Sequence, residues 1–109
     1  MKITFEDNSG LTLKQLERAT AKALETMGEA AESYTKAETP VDTGRLRNSM
    51  SHAVKGHDAY IGTNVYYAPF VENGTSRQKA HHMLLHAATQ HSDEYKAILK
   101  AALESEKNN

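Results

Sequence analysis

Residues 42–44 read Asp-Thr-Gly, the triplet that carries the catalytic aspartate of aspartic proteases. Some of those enzymes are short chains with a single triplet, which dimerise to bring two aspartates together. Two carboxylates that share one proton need a dry site of fixed geometry. Here Arg45 and Arg47 follow the triplet, and two nearby guanidinium groups would hold Asp42 ionised. Single-triplet proteases are also nearly all-β, whereas this sequence is largely helical by pattern. A protease-like homodimer that uses Asp42 is therefore kept only as an alternative.

A group of histidines between residues 81 and 91 is the second candidate for chemistry. His82 and His86 are four residues apart and would share a helix face, with His81 and His91 close by. This spacing can bind Zn²⁺, but no glutamate lies between the pair as in the His-Glu-x-x-His arrangement of metalloproteases. Surface or interface histidines that make assembly pH-sensitive are the other interpretation. We assign no catalytic residue, no metal site and no cofactor, and expect that the chain is not an enzyme.

Composition gives little support to nucleic-acid binding. The formal net charge is −1, and no phosphate-binding loop accompanies the basic residues. Non-specific contact with DNA and an ordinary solvated face both fit the basic side chains in the middle of the chain, which are Arg45, Arg47, Lys55, Arg77 and Lys79. The sequence has no cysteine, which excludes disulfides and thiolate metal sites.

The N-terminal half of the sequence predicts a strand and a long helix. Residues 2–6 alternate apolar and polar side chains, which is typical of a short half-buried strand. Thr12 and Gln15 have the spacing of a capping box, and Pro40 ends the following pattern, so that we expect a helix over about residues 12–37. Its apolar face would carry Leu13, Leu16, Thr20, Ala23, Met27, Ala30 and Tyr34.

The rest of the chain predicts a hairpin, an irregular segment and a C-terminal helix. The hairpin covers about residues 50–65, and residues 66–82 are irregular, because Pro69 interrupts pairing, with a mobile loop at about 73–82. The C-terminal helix covers about residues 83–105, and Ser92 could restart it as a second helix after a kink. We expect a single α+β domain over residues 1–109, in which a small antiparallel sheet packs with two long helices. The first ten residues lack the apolar core of a signal peptide, and no apolar run is long enough to span a membrane, so no membrane partner is expected.

Two short segments carry a family resemblance. The first motif comprises Pro40, Asp42, Thr43, Gly44, Leu46, Arg47 and Ser49. The second motif comprises Tyr67, Ala68, Val71, Glu72, Gly74 and Thr75. With a long helix before them and a hairpin between them, they resemble the tail-component family of long-tailed bacteriophages, the tail-completion and neck proteins encoded among the head–tail joining genes.

The resemblance implies a structural protein without catalysis. Members complete the tail end or the head–tail neck as a homo-oligomeric ring, for which a hexamer is one candidate size. The partners would be other copies of the chain, tail-tube or tail-terminator proteins and head-connector proteins. The location would be the virion, assembled in the host bacterial cytoplasm of an active phage or a prophage. A monomeric protein that binds one cellular partner is kept as a further alternative.

The motif residues can be given physical roles as hypotheses. Asp42 would cap the short helix that follows it, and Gly44 would permit the turn. Arg47 would pair with Glu72 and so join the two motifs. An apolar wedge for the core or for a neighbouring subunit would consist of Tyr67, Pro69 and Phe70. A partner-contact loop would consist of Ser76, Arg77, Gln78 and Lys79.

Overall fold

The computed structural model describes residues 10–41 and 44–108. The described elements are α1 (Leu13–Glu38), α2 (Arg45–Ser49), β1 (Ser51–Lys55), β2 (Asp58–Gly62), α3 (Ala68–Asn73), α4 (Met83–Thr89) and α5 (Ser92–Lys107). Long N-terminal and C-terminal helices with a two-stranded antiparallel sheet confirm the predicted α+β class. The strand expected at residues 2–6 lies outside the described residues.

Local signals set both ends of α1. The hydroxyl of Thr12 accepts a hydrogen bond from the Gln15 amide at 3.2 Å, and the Gln15 side chain accepts one from the Thr12 amide at 2.8 Å. This reciprocal capping box was predicted from the spacing. The helix ends before Thr39, whose backbone is extended, as expected for the residue before a proline. With 26 residues, α1 is about 39 Å long.

The buried side of α1 consists of small residues, namely Ala19, Ala23, Gly28 and Thr35. Other elements can therefore approach its backbone closely. The buried hydroxyl of Thr35 donates to the carbonyl of Ala31 at 2.8 Å, so that its burial leaves no polar group unpaired. The predicted apolar stripe is wrong at Leu13, which is 71% exposed, because Leu11, just before the helix, occupies the buried position at this end.

All the larger elements pack along α1. The hairpin, α4 and α5 each contact it, and the molecule measures 55 × 22 × 20 Å. Arg18 of α1 pairs with Glu106 of α5 at 3.1 Å. None of the described helices combines the length and the apolar character that crossing a membrane requires.

The hairpin pairs His52 with Ile61 and Lys55 with Asp58, within the range predicted for it. Its two-residue turn begins at Gly56, which has a φ of +60°. Such a left-handed conformation suits glycine, since it has no side chain.

Two segments after the hairpin differ from the sequence-based expectation. Residues 68–73 form the short helix α3, so the prediction of irregular structure there is wrong. Pro69 lies in the first turn of α3. Proline is tolerated there because the N–H groups of the first turn have no acceptor within the helix. The C-terminal segment consists of two helices, and α5 restarts at Ser92 as the alternative interpretation proposed.

Candidate functional site

A buried cluster joins the two motifs. Leu46 belongs to the first motif, and Ala68 and Val71 belong to the second. The whole cluster consists of Leu46, Met50, Val65, Ala68, Val71 and Met83. Because side chains from α2, α3 and α4 share this core, the relative positions of the two motifs depend on apolar packing.

Gly44 begins the short helix of the first motif. Its φ is +82°, and its carbonyl accepts the Asn48 amide at 2.9 Å. The conformation agrees with the role expected of Gly44, because side chains rarely tolerate it. Asp42 and Thr43 lie outside the described residues, and so does the capping role expected of Asp42. The N-cap position of α2 is occupied by Gly44 itself.

Polar contacts also connect α2 with the chain that follows the hairpin. The hydroxyl of Ser49 donates to the Leu46 carbonyl at 2.6 Å and lies 2.5 Å from the hydroxyl of Thr63. Thr63 in turn accepts the amide of Val65 at 3.1 Å. In addition, the Arg45 guanidinium lies 6.0 Å from the centre of the Tyr67 ring, within the range of a cation–π contact. Both contacts bring the first motif against the segment that leads into the second.

Glu72 has a different partner from the one expected. Its two carboxylate oxygens accept the backbone amides of Leu84 at 2.7 Å and Leu85 at 3.2 Å, in the first turn of α4. Among the described residues Arg47 forms no ion pair with Glu72, so the predicted Arg47–Glu72 pair is wrong. The physical reason is that a helix N-terminus offers unpaired amides and a positive dipole end, which hold a carboxylate in a fixed place. Glu72 therefore connects the second motif to α4.

The backbone of the second motif continues this connection. The amides of His81 and His82 donate to the carbonyls of Val71 and Glu72, both at 3.0 Å. Gly74 has a φ of +77°, and a Cβ atom there would lie 2.7 Å from the amide nitrogen of Ala80. A glycine is needed at this position for both reasons.

A small turn lies at the tip of the segment between α3 and α4. The amide of Thr75 donates to the Gln78 carbonyl at 2.9 Å, and the Thr75 hydroxyl accepts the Arg77 amide at 3.2 Å. The side chains of the predicted contact loop, namely Ser76, Arg77, Gln78 and Lys79, are all exposed.

The predicted apolar wedge is divided between the core and the surface. Tyr67 is partly buried and packs against the shared core, whereas Phe70 is 55% exposed. Tyr66 is 77% exposed and meets Tyr67 edge to face, with 5.4 Å between ring centres. Two large aromatic side chains therefore face solvent beside the second motif.

Two of the histidines between residues 81 and 91, His86 and His91, have separate structural partners. His86 Nδ1 lies 2.6 Å from the carboxylate of Glu38, which joins α4 to the end of α1. His91 stacks on Tyr34 with 3.5 Å between ring centres. The Tyr34 hydroxyl donates to Glu94, and this bond raises the pKa of Tyr34. Within the described part of the chain, the three-residue grouping of potential metal ligands lies elsewhere, on α1 and β1.

Sequence reasoning missed a contact between His52 and α1. The Nε2 atom of His52 lies 2.6 Å from the Glu25 carboxylate, and Nδ1 lies 3.2 Å from that of Glu32. Hydrogen bonds to both carboxylates, with Glu25 the larger contribution, raise the pKa of His52. The His52 bond likewise lowers the pKa of Glu32, against the opposing effect of burial. Gly28 lies between the two glutamates in the sequence. A glycine within a helix costs about 1 kcal/mol relative to alanine, and this unfavourable choice was the one sequence signal that another element approaches the helix there.

A known protein family matches the greater part of the chain. The model of the HK97-gp10-like family, described as a bacteriophage tail component, matches residues 8–74, which is more than half of the chain. The matched range contains α1, the hairpin, the whole first motif and the second motif as far as Gly74. No curated protein and no solved structure matches the chain.

Proposed function

Because this chain belongs to the HK97-gp10-like family of bacteriophage tail components, we propose that it is a structural virion protein that completes the tail end or the head–tail neck. The family match, which covers the first motif and the second motif as far as Gly74, is the observation that carries this proposal. According to this proposal, the chain acts by binding other virion proteins. Copies of it assemble into a homo-oligomeric ring, for which six subunits is the candidate size. Neither Asp42 nor any histidine has a catalytic role.

The exposed apolar side chains support a role in assembly. Those described are Leu13, Val41, Tyr60, Tyr66, Phe70 and Leu85. Exposed aromatic side chains are characteristic of protein interfaces, and rigid rings lose little conformational entropy when a partner covers them. We assign Tyr66 and Phe70 to a subunit contact, since both project beside the rigidly connected second motif.

Helix α5 offers a second apolar surface. It packs along α1, yet none of its 16 residues is buried. Its larger apolar side chains, namely Ile98, Leu99 and Leu103, are only partly covered. A neighbouring subunit on this side would remove more of this surface from water, at about 25 cal/mol for each Å² of apolar area.

The exposed turn at residues 75–79 fits contact with a different protein. It lies at the tip of the segment between α3 and α4, and backbone hydrogen bonds hold this segment before and after the turn. The turn carries Arg77 and Lys79. We assign it to a tail-tube, tail-terminator or head-connector protein, with incidental contact of its two cations with passing DNA.

The test is the native mass of the purified chain, with negative-stain images, alone and mixed with the tail-tube protein of the same phage. Wild type should give rings, and the double substitution Tyr66→Ser with Phe70→Ser should give a folded monomer. Tyr60→Ser, which removes an exposed aromatic ring on the hairpin, is the matched control and should still form rings. A wild-type chain that stays monomeric under both conditions would refute the ring.

A further inference from the structure

A group of side chains that belongs to neither motif lies where the hairpin meets α1. Glu25 and Glu29 are one helical turn apart on α1, and His52 reaches them from β1. One potential ligand atom from each lies within 4.8 Å of the other two. We infer that Glu25, Glu29 and His52 form a binding site for a divalent transition-metal ion of the Zn²⁺ type.

The donor atoms suit such an ion. Zn²⁺ combines imidazole nitrogen with carboxylate oxygen, at about 2.0–2.2 Å from each, and a water molecule can complete four ligands. Neighbouring ligand atoms of a tetrahedral site are therefore about 3.3 Å apart. The Glu25 oxygen now lies 2.6 Å from His52 Nε2, and its side chain is 54% exposed, so a small outward shift makes room for the ion.

Glu32 supplies the supporting contact that histidine ligands usually have. Its carboxylate accepts from His52 Nδ1 at 3.2 Å, which directs Nε2 towards Glu25 and Glu29. The ion would displace the proton that Nε2 now shares with Glu25. Lys36 pairs with Glu32 at 3.3 Å and holds that carboxylate in turn. The imidazole thus has one nitrogen for orientation and the other for the ion.

Packing against Gly28 fixes the ring independently of these charges. A Cβ atom at Gly28 would lie 2.7 Å from Cδ2 of His52 and 3.1 Å from Cγ, so the ring lies directly on the helix backbone. The His52 side chain is only 16% exposed. Its position is therefore set before an ion arrives, which reduces the entropy cost of binding.

Calorimetric titration of the full chain with ZnCl₂, purified without a histidine tag, tests the site. Wild type should bind one ion per chain, and Glu29→Gln should weaken binding about tenfold or more. Within the described residues the Glu29 side chain forms no hydrogen bond or ion pair, so this variant keeps the fold. Glu32→Gln should weaken binding about tenfold through the ring orientation. The melting temperature should rise with ZnCl₂ in wild type, and it should rise less in Glu29→Gln at the same ZnCl₂ concentration.

His82→Asn is the matched control for the other histidines, since asparagine tolerates the left-handed backbone of this residue. It should leave Zn²⁺ affinity unchanged. Absence of binding to wild type would overturn the site. An unchanged affinity in Glu29→Gln, or loss of binding in His82→Asn, would also overturn it.

Discussion

The imidazole of His52 rests on the backbone of Gly28, where a side chain of any size would displace it. An alanine Cβ at this position would come within 2.7 Å of His52 Cδ2. This contact places the hairpin against α1 and brings His52 between the carboxylates of Glu25 and Glu32. The absence of a side chain on a helix is therefore what allows a charged cluster to form on it.

Replacing Gly28 by alanine should reveal this coupling. In a His52→Ala background, Gly28→Ala should stabilise the protein by about 1 kcal/mol, because alanine favours the helix. With His52 present the gain should disappear, since the ring must move and lose its two carboxylate partners. Urea unfolding of the four variants gives a coupling energy of about 1 kcal/mol or more. Additive effects would show that the ring does not rest on the helix.

The stability of the protein should depend on pH through His52. Its folded pKa is raised above the ordinary value of 6.5, mainly by the hydrogen bond to Glu25 and then by that to Glu32. The contribution of His52 is therefore complete below that value and is lost as the pH rises through the raised pKa. Glu32, whose pKa is lowered, contributes above 4.5 and loses its contribution as the pH falls through its folded pKa.

A comparison of wild type with His52→Gln tests this dependence. In the presence of a chelator, the difference in free energy of unfolding should be larger at about pH 5.5 than at about pH 9. Glu29 also lies near the ring, with a carboxylate oxygen within 4.8 Å of an imidazole nitrogen. A difference that grows towards alkaline pH would contradict the assignment.

Removal of the Glu72 carboxylate should loosen the start of α4. Glu72→Ala should reduce the free energy of unfolding by about 1–2 kcal/mol, because two amides at a helix N-terminus lose a charged acceptor. Glu72→Gln, which keeps one acceptor oxygen, should cost less. Hydrogen exchange of the Leu84 and Leu85 amides should become faster in both variants.

Arg47 is the matched control for that prediction. Since it does not pair with Glu72 in the structure, Arg47→Gln should change stability by no more than about 0.5 kcal/mol. The charge reversals Arg47→Glu and Glu72→Arg should not rescue each other. A double reversal that restores stability would reinstate the ion pair expected from the sequence.

Gly74 and Gly56 allow the free-energy cost of a positive φ to be separated from the cost of a steric overlap. Both have a positive φ, but only Gly74 has backbone atoms within reach of an added Cβ. Gly56→Ala should cost about 1–2 kcal/mol from the conformation alone. Gly74→Ala should cost more, because its Cβ would meet Ala80 at 2.7 Å. Equal losses of stability in the two variants would show that the segment before α4 moves away from the added Cβ atom without a free-energy cost.

Much of the fold was predictable because its signals are local. The capping box at Thr12 and the proline at position 40 fixed the ends of α1 nearly to the residue. Pro69 was misinterpreted because a proline that interrupts a strand is also well suited to the first turn of a helix. The position of Leu13 depends on which neighbour packs there, and that is a tertiary property.

The site was less predictable than the fold. Gly44 and Gly74 carry their requirement in their own residue type, since both have a positive φ. Opposite charge suggested that Glu72 binds Arg47. The charges in the sequence do not reveal that the backbone amides at the start of α4 lie within hydrogen-bond distance of Glu72 instead. The His52 cluster joins residues far apart in sequence, and only the glycine at position 28 marked the approach.

The most direct test of the central claim is the protein content of purified virions of the phage that encodes this chain. Quantitative peptide mass spectrometry should find about six or more copies per particle, as expected for a closed ring. Labelled antibody should mark the tail end or the neck in electron micrographs. Intact, infectious, tailed particles without a peptide from this chain would contradict the account.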